Sequence, residues 1–245
     1  MRLRLFLFYL LSVYFCPFSL LAQSASEDSS LYRSALAHTL DTYYSQVGDQ
    51  SAIYNGRLYS GYGFSFKAGI PYFLSGEFRN ESLFYDGIQF ENIPLLYDNL
   101  SEVLITRDRG YWVQLVNERI GSFTIAGHRF IRIVTDSLNR SLSGTGFYEI
   151  LYQGHTIVLK KTVKKIREEL SSSEGILRFI DSTEHYYIKM GNAYFTVSSR
   201  RAMLDIFSDR KSQVRQFIKK NKLKYRKDKE NTMVKVTGYY DQITK

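Results

Sequence analysis

The chain has little cysteine and little proline, and each shortage excludes a class of structure. Its 245 residues include one cysteine, Cys16, and three prolines. If the first 22 residues are removed, no disulfide, thiolate metal site or cysteine nucleophile is possible. The chain also contains 20 tyrosines and 17 phenylalanines. Few prolines with many aromatic residues disfavour disorder and favour β-strands.

Catalytic and metal-binding motifs are also lacking. The four histidines, His38, His128, His155 and His185, are well separated, whereas a zinc site usually shows pairs at short spacing. The nearest pattern is Asp181-x-x-Glu184-His185, and Ser143-Gly144-Thr145-Gly146 is typical of a polar turn rather than a nucleophile loop. The sequence therefore predicts no catalytic residue, no cofactor-binding residue, no cofactor and no metal ligand.

One enzymatic alternative stays open, because a curved sheet could bring dispersed side chains together. A glycoside hydrolase, for example, needs two converging carboxylates. The candidates are spread over the first half of the chain: Glu77, Glu81, Asp86, Glu91 and Asp98. Sequence alone does not show whether any two of them converge.

The N-terminus has the three-part pattern of a secretory signal peptide. Arg2 and Arg4 precede an apolar run from Leu5 to Leu21, and Ala22 gives a small-residue exit. We expect residues 1–22 to be removed, with cleavage after Ser24 as the alternative and an uncleaved anchor as another. Cys16 lacks the preceding small residue of a lipoprotein signal. The expected location is the periplasm, with an extracellular or outer-membrane-associated location as alternatives.

The rest of the chain divides by periodicity into a β-rich body over 23–198 and a helical segment over 199–245. Apolar spacing predicts an N-terminal helix from Leu31 to Val47. From Ala52 to Ser198 short runs alternate with period two, as in antiparallel strands with one buried face. Turn dipeptides separate the runs: Asn55-Gly56, Asp86-Gly87, Ala126-Gly127, Gln153-Gly154 and Gly191-Asn192.

We therefore predict a mainly β (α+β) fold. About ten strands in a meander would form a curved sheet, a half-barrel or a barrel. An N-terminal helix and C-terminal helices would flank this sheet. The stretch from Lys160 to Glu169 fits a strand or a short helix, and we favour a strand that leads into an exposed loop at Ser171-Ser172-Ser173.

The C-terminal segment is helical and basic. Apolar residues recur at helical spacing, which predicts helices at about 199–207, 209–221 and 230–243, with Ser199 and Asp209 as N-caps. Between Arg200 and Lys229 there are 12 lysines or arginines and three aspartates. The candidate contacts for an anionic surface are Arg210, Lys211, Arg215, Lys219, Lys220, Lys222 and Lys224.

Several motifs together resemble a family of uncharacterised exported proteins of Bacteroidetes. These motifs are Tyr54-Asn55-Gly56-x-x-Tyr59, Gly69-Ile70-Pro71-Tyr72-Phe73, Tyr85-Asp86-Gly87, Asn92-Ile93-Pro94-Leu95-Leu96-Tyr97-Asp98, Gly144-Thr145-Gly146-Phe147-Tyr148-Glu149 and Val214-Arg215-Gln216-Phe217-Ile218-Lys219-Lys220-Asn221. The likeness runs from about Asp41 to Asp241. It implies a cell-envelope setting and no assigned activity.

These observations favour a non-catalytic exported envelope protein with a binding or scaffolding role. The expected partners are anionic envelope components, such as lipid headgroups or lipopolysaccharide, or another envelope protein. Nucleic acid is not expected outside the cytoplasm, and the chain is not expected to be transmembrane after cleavage. A periplasmic carrier of a lipid or other apolar ligand is the first alternative, and a hydrolase with a dispersed active site is the second.

Overall fold

A computed structural model describes residues 52–135 and 141–244, together with Ala35. The predicted signal peptide lies outside the described residues. So does the predicted N-terminal helix, apart from Ala35, which is helical. The described β body and C-terminal helices belong to one compact unit, Asp49–Lys245.

Within the described residues, eleven strands form a single antiparallel sheet, which confirms the predicted fold class. The strands are β1 Arg57–Leu58, β2 Arg79–Tyr85, β3 Ile88–Asp98, β4 Val103–Asp108, β5 Tyr111–Gln114, β6 Ile120–Ile125, β7 His128–Ile133, β8 Gly146–Gln153, β9 Thr156–Ser171, β10 Gly175–Met190 and β11 Ala193–Thr196. Their order is β1-β5-β4-β3-β2-β6-β7-β8-β9-β10-β11. The two end strands do not pair with each other, so the sheet stays open.

Tight turns produce most neighbouring pairs in this sheet. At Asp86-Gly87 and Ala126-Gly127 both residues have positive φ, the geometry that matches the twist of a two-residue hairpin. Arg109-Gly110 joins β4 to β5 in the same way, although the sequence did not single it out. Asn55-Gly56, one of the turn dipeptides in the sequence, does not close a hairpin. That dipeptide leads into β1, which pairs with the distant β5.

The sheet is strongly curved, and aromatic rings fill its concave side. Strands β3 and β8 are four positions apart, which would separate them by roughly 19 Å in a flat sheet. The rings of Tyr97 in β3 and Phe147 in β8 are nevertheless only 5.8 Å apart. Phe123 and Phe130 lie between them in a stacked pair at 4.9 Å. All four rings are buried, so their packing holds the curvature.

Strands β9 and β10 form a long hairpin that confirms the strand assignment for Lys160 to Glu169, although Ser171, predicted in the loop, is still part of β9. Sixteen residue pairs join them, from Met190↔Thr156 to Gly175↔Ser171. Pairing with β8 ends at Lys160, and pairing with β11 ends at Tyr187. We call the remainder, 161–171 with 175–186, the projecting arm, which is roughly 35 Å long at the usual rise of a strand.

Three helices follow the sheet and pack on β8, β9 and β10. They are α1 Arg200–Ile206, α2 Lys211–Lys220 and α3 Lys229–Ile243. Ser199 caps α1 as predicted, since its side chain accepts the Ala202 N–H at 3.1 Å. The N-cap predicted at Asp209 is wrong, because that carboxylate instead accepts the Tyr240 hydroxyl at 3.2 Å and α2 begins at Lys211.

Apolar and ionic contacts fix α3 against the sheet. Phe207 and Tyr240 pack with their rings 4.4 Å apart in the core shared by the helices and β8–β10. Lys160 of β9 lies 2.8 Å from Glu149 and 2.9 Å from Glu230 at the start of α3. These contacts make the helical segment part of the β body rather than an appendage to it.

Candidate anion-binding groove

The candidate site begins with the two faces of α2. Val214 and Ile218 are buried against the core, and each is followed in sequence by an exposed cation, Arg215 or Lys219. Residues four positions apart lie on the same side of a helix. The sequence pattern therefore buries one side of α2 and presents a basic stripe on the other.

The end of α2 continues that stripe through a local turn. Lys222 adopts a φ of +51°, its N–H donates to the Lys219 carbonyl at 3.2 Å, and the Leu223 N–H donates to the Ile218 carbonyl at 3.0 Å. This is the Schellman arrangement, which satisfies carbonyls at a helix C-terminus. The turn brings Leu223 and the following lysine, Lys224, back beside Lys219. Cations at this position also interact favourably with the negative end of the helix dipole.

These residues, together with Arg200 from the start of α1, line one open groove of about 500 Å³. We call it the basic groove, and its lining is Arg200, Arg215, Ile218, Lys219, Lys222, Leu223 and Lys224. Five of the seven side chains are cationic, and none is a carboxylate. The half-buried Leu223 supplies apolar surface, whereas Ile218 lines the groove but is itself buried.

A second groove of about 610 Å³ shares Arg200 and Arg215 with the basic groove. Its charge is partly neutralised, because Asp205 hydrogen-bonds Lys211 and lies 3.8 Å from Arg201. The hydrogen bond from Lys211, aided by the neighbouring arginines, lowers the pKa of the Asp205 carboxyl. By contrast, Arg200, Lys219, Lys222 and Lys224 form no ion pair with a carboxylate of the described residues. Of these two grooves, the basic groove therefore carries the larger unneutralised positive charge.

The structure brings together four of the seven cations that the sequence singled out. Arg215, Lys219, Lys222 and Lys224 line the basic groove. The other three lie elsewhere: Lys211 pairs with Asp205, Arg210 lies 4.0 Å from Asp209, and Lys220 is exposed on α2.

Sequence reasoning missed Arg200 as a groove residue. The available signal was its position directly after the Ser199 cap, which fixes it at the first turn of α1.

Clustered cations with no counter-charge attract anions and repel one another, so an anionic ligand lowers their electrostatic energy. The apolar patch at Leu223 suits a ligand that carries an apolar portion beside its charge. The groove is open, which suits a surface or headgroup better than an enclosed small molecule.

Four of the five candidate carboxylates are engaged in structural contacts. Asp98 is fully buried and saturated, because it accepts the hydroxyls of Tyr59 and Tyr62 at 2.7 Å and the backbone N–H groups of Leu100 and Ser101. Burial, then the bond to Asp98, raises the pKa of the Tyr59 hydroxyl well above its ordinary value. Asp98 therefore anchors the end of β3.

The other four carboxylates have partners of their own or are exposed. Glu81 accepts the Thr124 hydroxyl and the Ala126 N–H, each at 2.6 Å. Asp86 lies 3.8 Å from Arg119, and Glu91 accepts the Gln89 amide at 2.9 Å. Glu77 is exposed. Neighbouring side chains and backbone groups thus engage three of the four.

The pattern around His185 does not assemble a metal site either. Asp181 accepts from Arg167 at 2.9 Å, and Glu184 accepts the Tyr186 hydroxyl at 2.5 Å. Across residues 52–135 and 141–244, no three His, Cys, Asp or Glu side chains are grouped so as to hold a metal ion.

Two other polar contacts remain as possible elements of a catalytic site. Ser143 hydrogen-bonds the Tyr187 hydroxyl within a turn, in keeping with the turn assignment. The ring of His128 contacts buried Glu149 at 2.6 Å, but in the described part of the chain its only hydrogen bond is to that carboxylate. A histidine–carboxylate pair needs a nucleophile or a water-activating geometry to catalyse hydrolysis.

Scans of this chain against protein-family models, curated proteins and solved structures each find no significant match. The resemblance to exported Bacteroidetes proteins therefore stays a prediction. In the described ranges, no helix has the length and apolar character needed to cross a membrane.

Proposed function

We propose that this chain is an exported, non-catalytic cell-envelope protein that binds the phosphate-bearing headgroups of anionic lipids through the basic groove. One observation carries the proposal: five cations line a groove that contains no carboxylate and has an apolar patch. An anionic lipid carries both a phosphate and acyl chains, so it complements both parts of this surface.

The expected strength follows from the number of cations. A lysine or arginine close to an anionic lipid surface contributes about 1 kcal/mol, so five cations provide at most roughly 5 kcal/mol. Such binding is reversible and weakens as salt increases, because the Debye length falls to about 8 Å at physiological ionic strength. The groove would therefore hold the protein at a membrane surface without anchoring it permanently.

The two alternative functions have less support. A carrier needs an apolar cavity, whereas the rings of Tyr97, Phe123, Phe130 and Phe147 pack against one another on the concave side of the sheet. A hydrolase needs converging catalytic groups with free functional atoms, and the carboxylates named above are mostly engaged in structural contacts.

Co-sedimentation of the purified mature chain, residues 23–245, with vesicles tests the proposal. The vesicles would contain phosphatidylcholine alone or phosphatidylcholine with phosphatidylglycerol. We expect partitioning only into the anionic vesicles. The double substitution Lys219→Gln/Lys222→Gln should weaken it about 30-fold, since it removes about 2 kcal/mol.

A matched variant controls for net charge. Arg57→Gln/Arg79→Gln removes two exposed cations from the sheet, away from the helices. It should leave partitioning near the wild-type value. Equal loss in both double variants would mean that net charge alone matters, and binding to neutral vesicles would contradict the electrostatic basis. Inorganic phosphate added as a competitor separates a free-phosphate site, which it would block, from a lipid-surface site.

Cell fractionation with mass spectrometry of the N-terminus tests export. We expect the mature chain in the envelope fraction, beginning at Gln23 or Ala25. Recovery of an intact Met1 terminus from the cytosol would contradict the localisation.

A further inference from the structure

The projecting arm has an open backbone edge on the side of β9 that faces away from β10. The ladder between β8 and β9 ends at Lys160. From Lys165 to Ser171, no backbone group of the described residues pairs with this side of the strand. An unpaired strand edge is a template for another strand.

The hydrogen bonds of β10 show which residues of β9 point their backbone outward. The Ile180 N–H donates to the Ala68 carbonyl at 3.0 Å, and the Arg178 carbonyl accepts the Lys67 N–H at 2.7 Å. The backbone groups of both residues therefore face away from β9. Directly opposite residues in such pairs both point outward. Ile166 and Glu168, opposite them, and by alternation Leu170, direct N–H and C=O groups to the open edge.

One face of the projecting arm, next to this open edge, exposes apolar side chains. Leu170 is 87 % exposed, Ile176 opposite it is 53 % exposed, and Ile166 is 39 % exposed. Exposure of this order is ordinary for one isolated side chain. Three such residues on one face beside unpaired backbone indicate a surface that another strand could cover.

We propose that two copies of this chain pair antiparallel along the open edge of β9, about a two-fold axis at Glu168. Glu168 is the middle residue of the open stretch 165–171. In this register the outward backbone groups of Ile166, Glu168 and Leu170 meet those of Leu170, Glu168 and Ile166 of the second copy. An isologous pairing of this kind closes at two copies.

Side-chain complementarity supports this register. Ile166 lies opposite Leu170 of the second copy, so Ile180 and Ile166 of one copy and Leu170 and Ile176 of the other form one apolar row. The symmetry produces that row twice. The two rows together cover the three exposed apolar side chains of each copy.

The charges also match in sign. Arg167, which also binds Glu169 and Asp181 of its own copy, lies opposite Glu169 of the second copy, and the symmetry produces this pair twice. Glu168 faces its own symmetry mate at the axis, but each Glu168 already binds its own Arg178 at 2.8 Å. The four charges at the axis therefore sum to zero. This interface uses none of the cations of the basic groove, so it goes beyond the proposed function.

Light scattering after size-exclusion chromatography tests the pairing on the purified full chain. We expect the wild-type protein to have twice the mass of one chain at high concentration and to dissociate on dilution. Arg167→Glu and Glu169→Arg each place like charges opposite each other, so each variant alone should be monomeric. An equimolar mixture should associate again, because the substituted side chain of each variant then faces the opposite charge on the other.

Further variants keep the outcome decisive. Leu170→Lys should also abolish the dimer, and its exposed position leaves folding intact, which circular dichroism checks. Lys219→Gln/Lys222→Gln should still dimerise, so loss of lipid binding and loss of pairing are separable. A wild-type protein that stays monomeric up to about 1 mM would overturn the proposal. So would variants that all stay dimeric, or a charge-swapped mixture that does not associate.

Discussion

The charge of Lys160 is nearly enclosed, and its removal should cause a large loss of stability. The Lys160 side chain is 9 % exposed and that of Glu149 is 4 % exposed, with their charged atoms 2.8 Å apart. Lys160→Met keeps most of the aliphatic stem and leaves Glu149 without this counter-charge. Removing one partner of a buried pair costs about 3–5 kcal/mol. His128 contacts the other oxygen of Glu149, so we expect the lower end of that range, about 3 kcal/mol.

Urea unfolding followed by the fluorescence of the single tryptophan, Trp112, measures this change. Glu149→Leu/Lys160→Met should recover most of the loss, because apolar residues of similar volume often replace a buried ion pair at little cost. Lys67→Met is the control, since the Lys67–Glu174 pair is about half exposed on both sides and should contribute below about 1 kcal/mol. A loss in Lys160→Met no larger than in this control would refute the reasoning.

The same comparison has a defined pH dependence. Burial alone lowers the pKa of Lys160, but the adjacent carboxylates of Glu149 and Glu230 outweigh it and raise the pKa above the ordinary 10.5. A raised pKa stabilises the fold fully below the unfolded value, and the contribution is lost as pH rises through the folded value. The difference between wild type and Lys160→Met should therefore be constant near neutral pH and shrink above about pH 10.5.

Two further substitutions test contacts that position the helices and the sheet edge. Asp241→Ala removes a buried carboxylate that accepts the Thr156 N–H at 3.0 Å and the Tyr152 hydroxyl at 3.1 Å. Hydrogen bonds to charged groups are worth roughly 1.5–3 kcal/mol each. Thermal unfolding should therefore show a loss of about 3 kcal/mol in the free energy of unfolding. A loss below that of one such bond would mean that Asp241 does not hold α3 to the β8–β9 turn. Gly56→Ala should destabilise the protein and loosen β1, because the added Cβ would lie 2.0 Å from the Gln114 carbonyl oxygen, whereas Gly63→Ala meets nothing within 4 Å and should be neutral. Equal melting temperatures for the two alanine variants would contradict this close approach.

Much of the fold could be predicted because its determinants are local. Period-two alternation predicted the strands, and positive-φ dipeptides such as Asp86-Gly87 predicted hairpins that the structure contains. The change to helical spacing after Ser198 predicted α1, α2 and α3 within one or two residues at most ends. Each of these signals acts over a few neighbouring residues.

The failures concern partners that are distant in sequence. Asn55-Gly56 looks like a hairpin turn, but its surroundings are set by β5, about 60 residues later. Asp209 is a good cap residue by type, yet Tyr240 takes its carboxylate. Glu149 and Lys160 look like solvent-facing charges in alternating strands, yet both are buried, with His128 of β7 and Glu230 of α3 among their partners.

The candidate site was predictable in part for the same reason. The excess of positive charge in 200–229 is visible in the sequence, and so is the i, i+4 relation of Arg215 and Lys219. The contribution of Arg200 depends on how α1 packs beside α2. The neutralisation of Lys211 depends on a carboxylate six residues earlier, Asp205.

The strand order has a consequence for how the chain acquires its structure. Strands β2 to β5 form one run of hairpins, and β6 to β11 form another, so strands of the two runs pair through their backbones only where β2 lies beside β6. That junction has three registered pairs, Leu83↔Phe123, Phe84↔Ser122 and Tyr85↔Ile120, and an irregularity between the last two. Each half can form from contacts that are close in sequence, whereas the junction must close a loop of more than 30 residues. The sheet thus consists of two groups of strands that can fold locally, joined by the short β2–β6 pairing. The formation of that pairing determines when the aromatic interior can form.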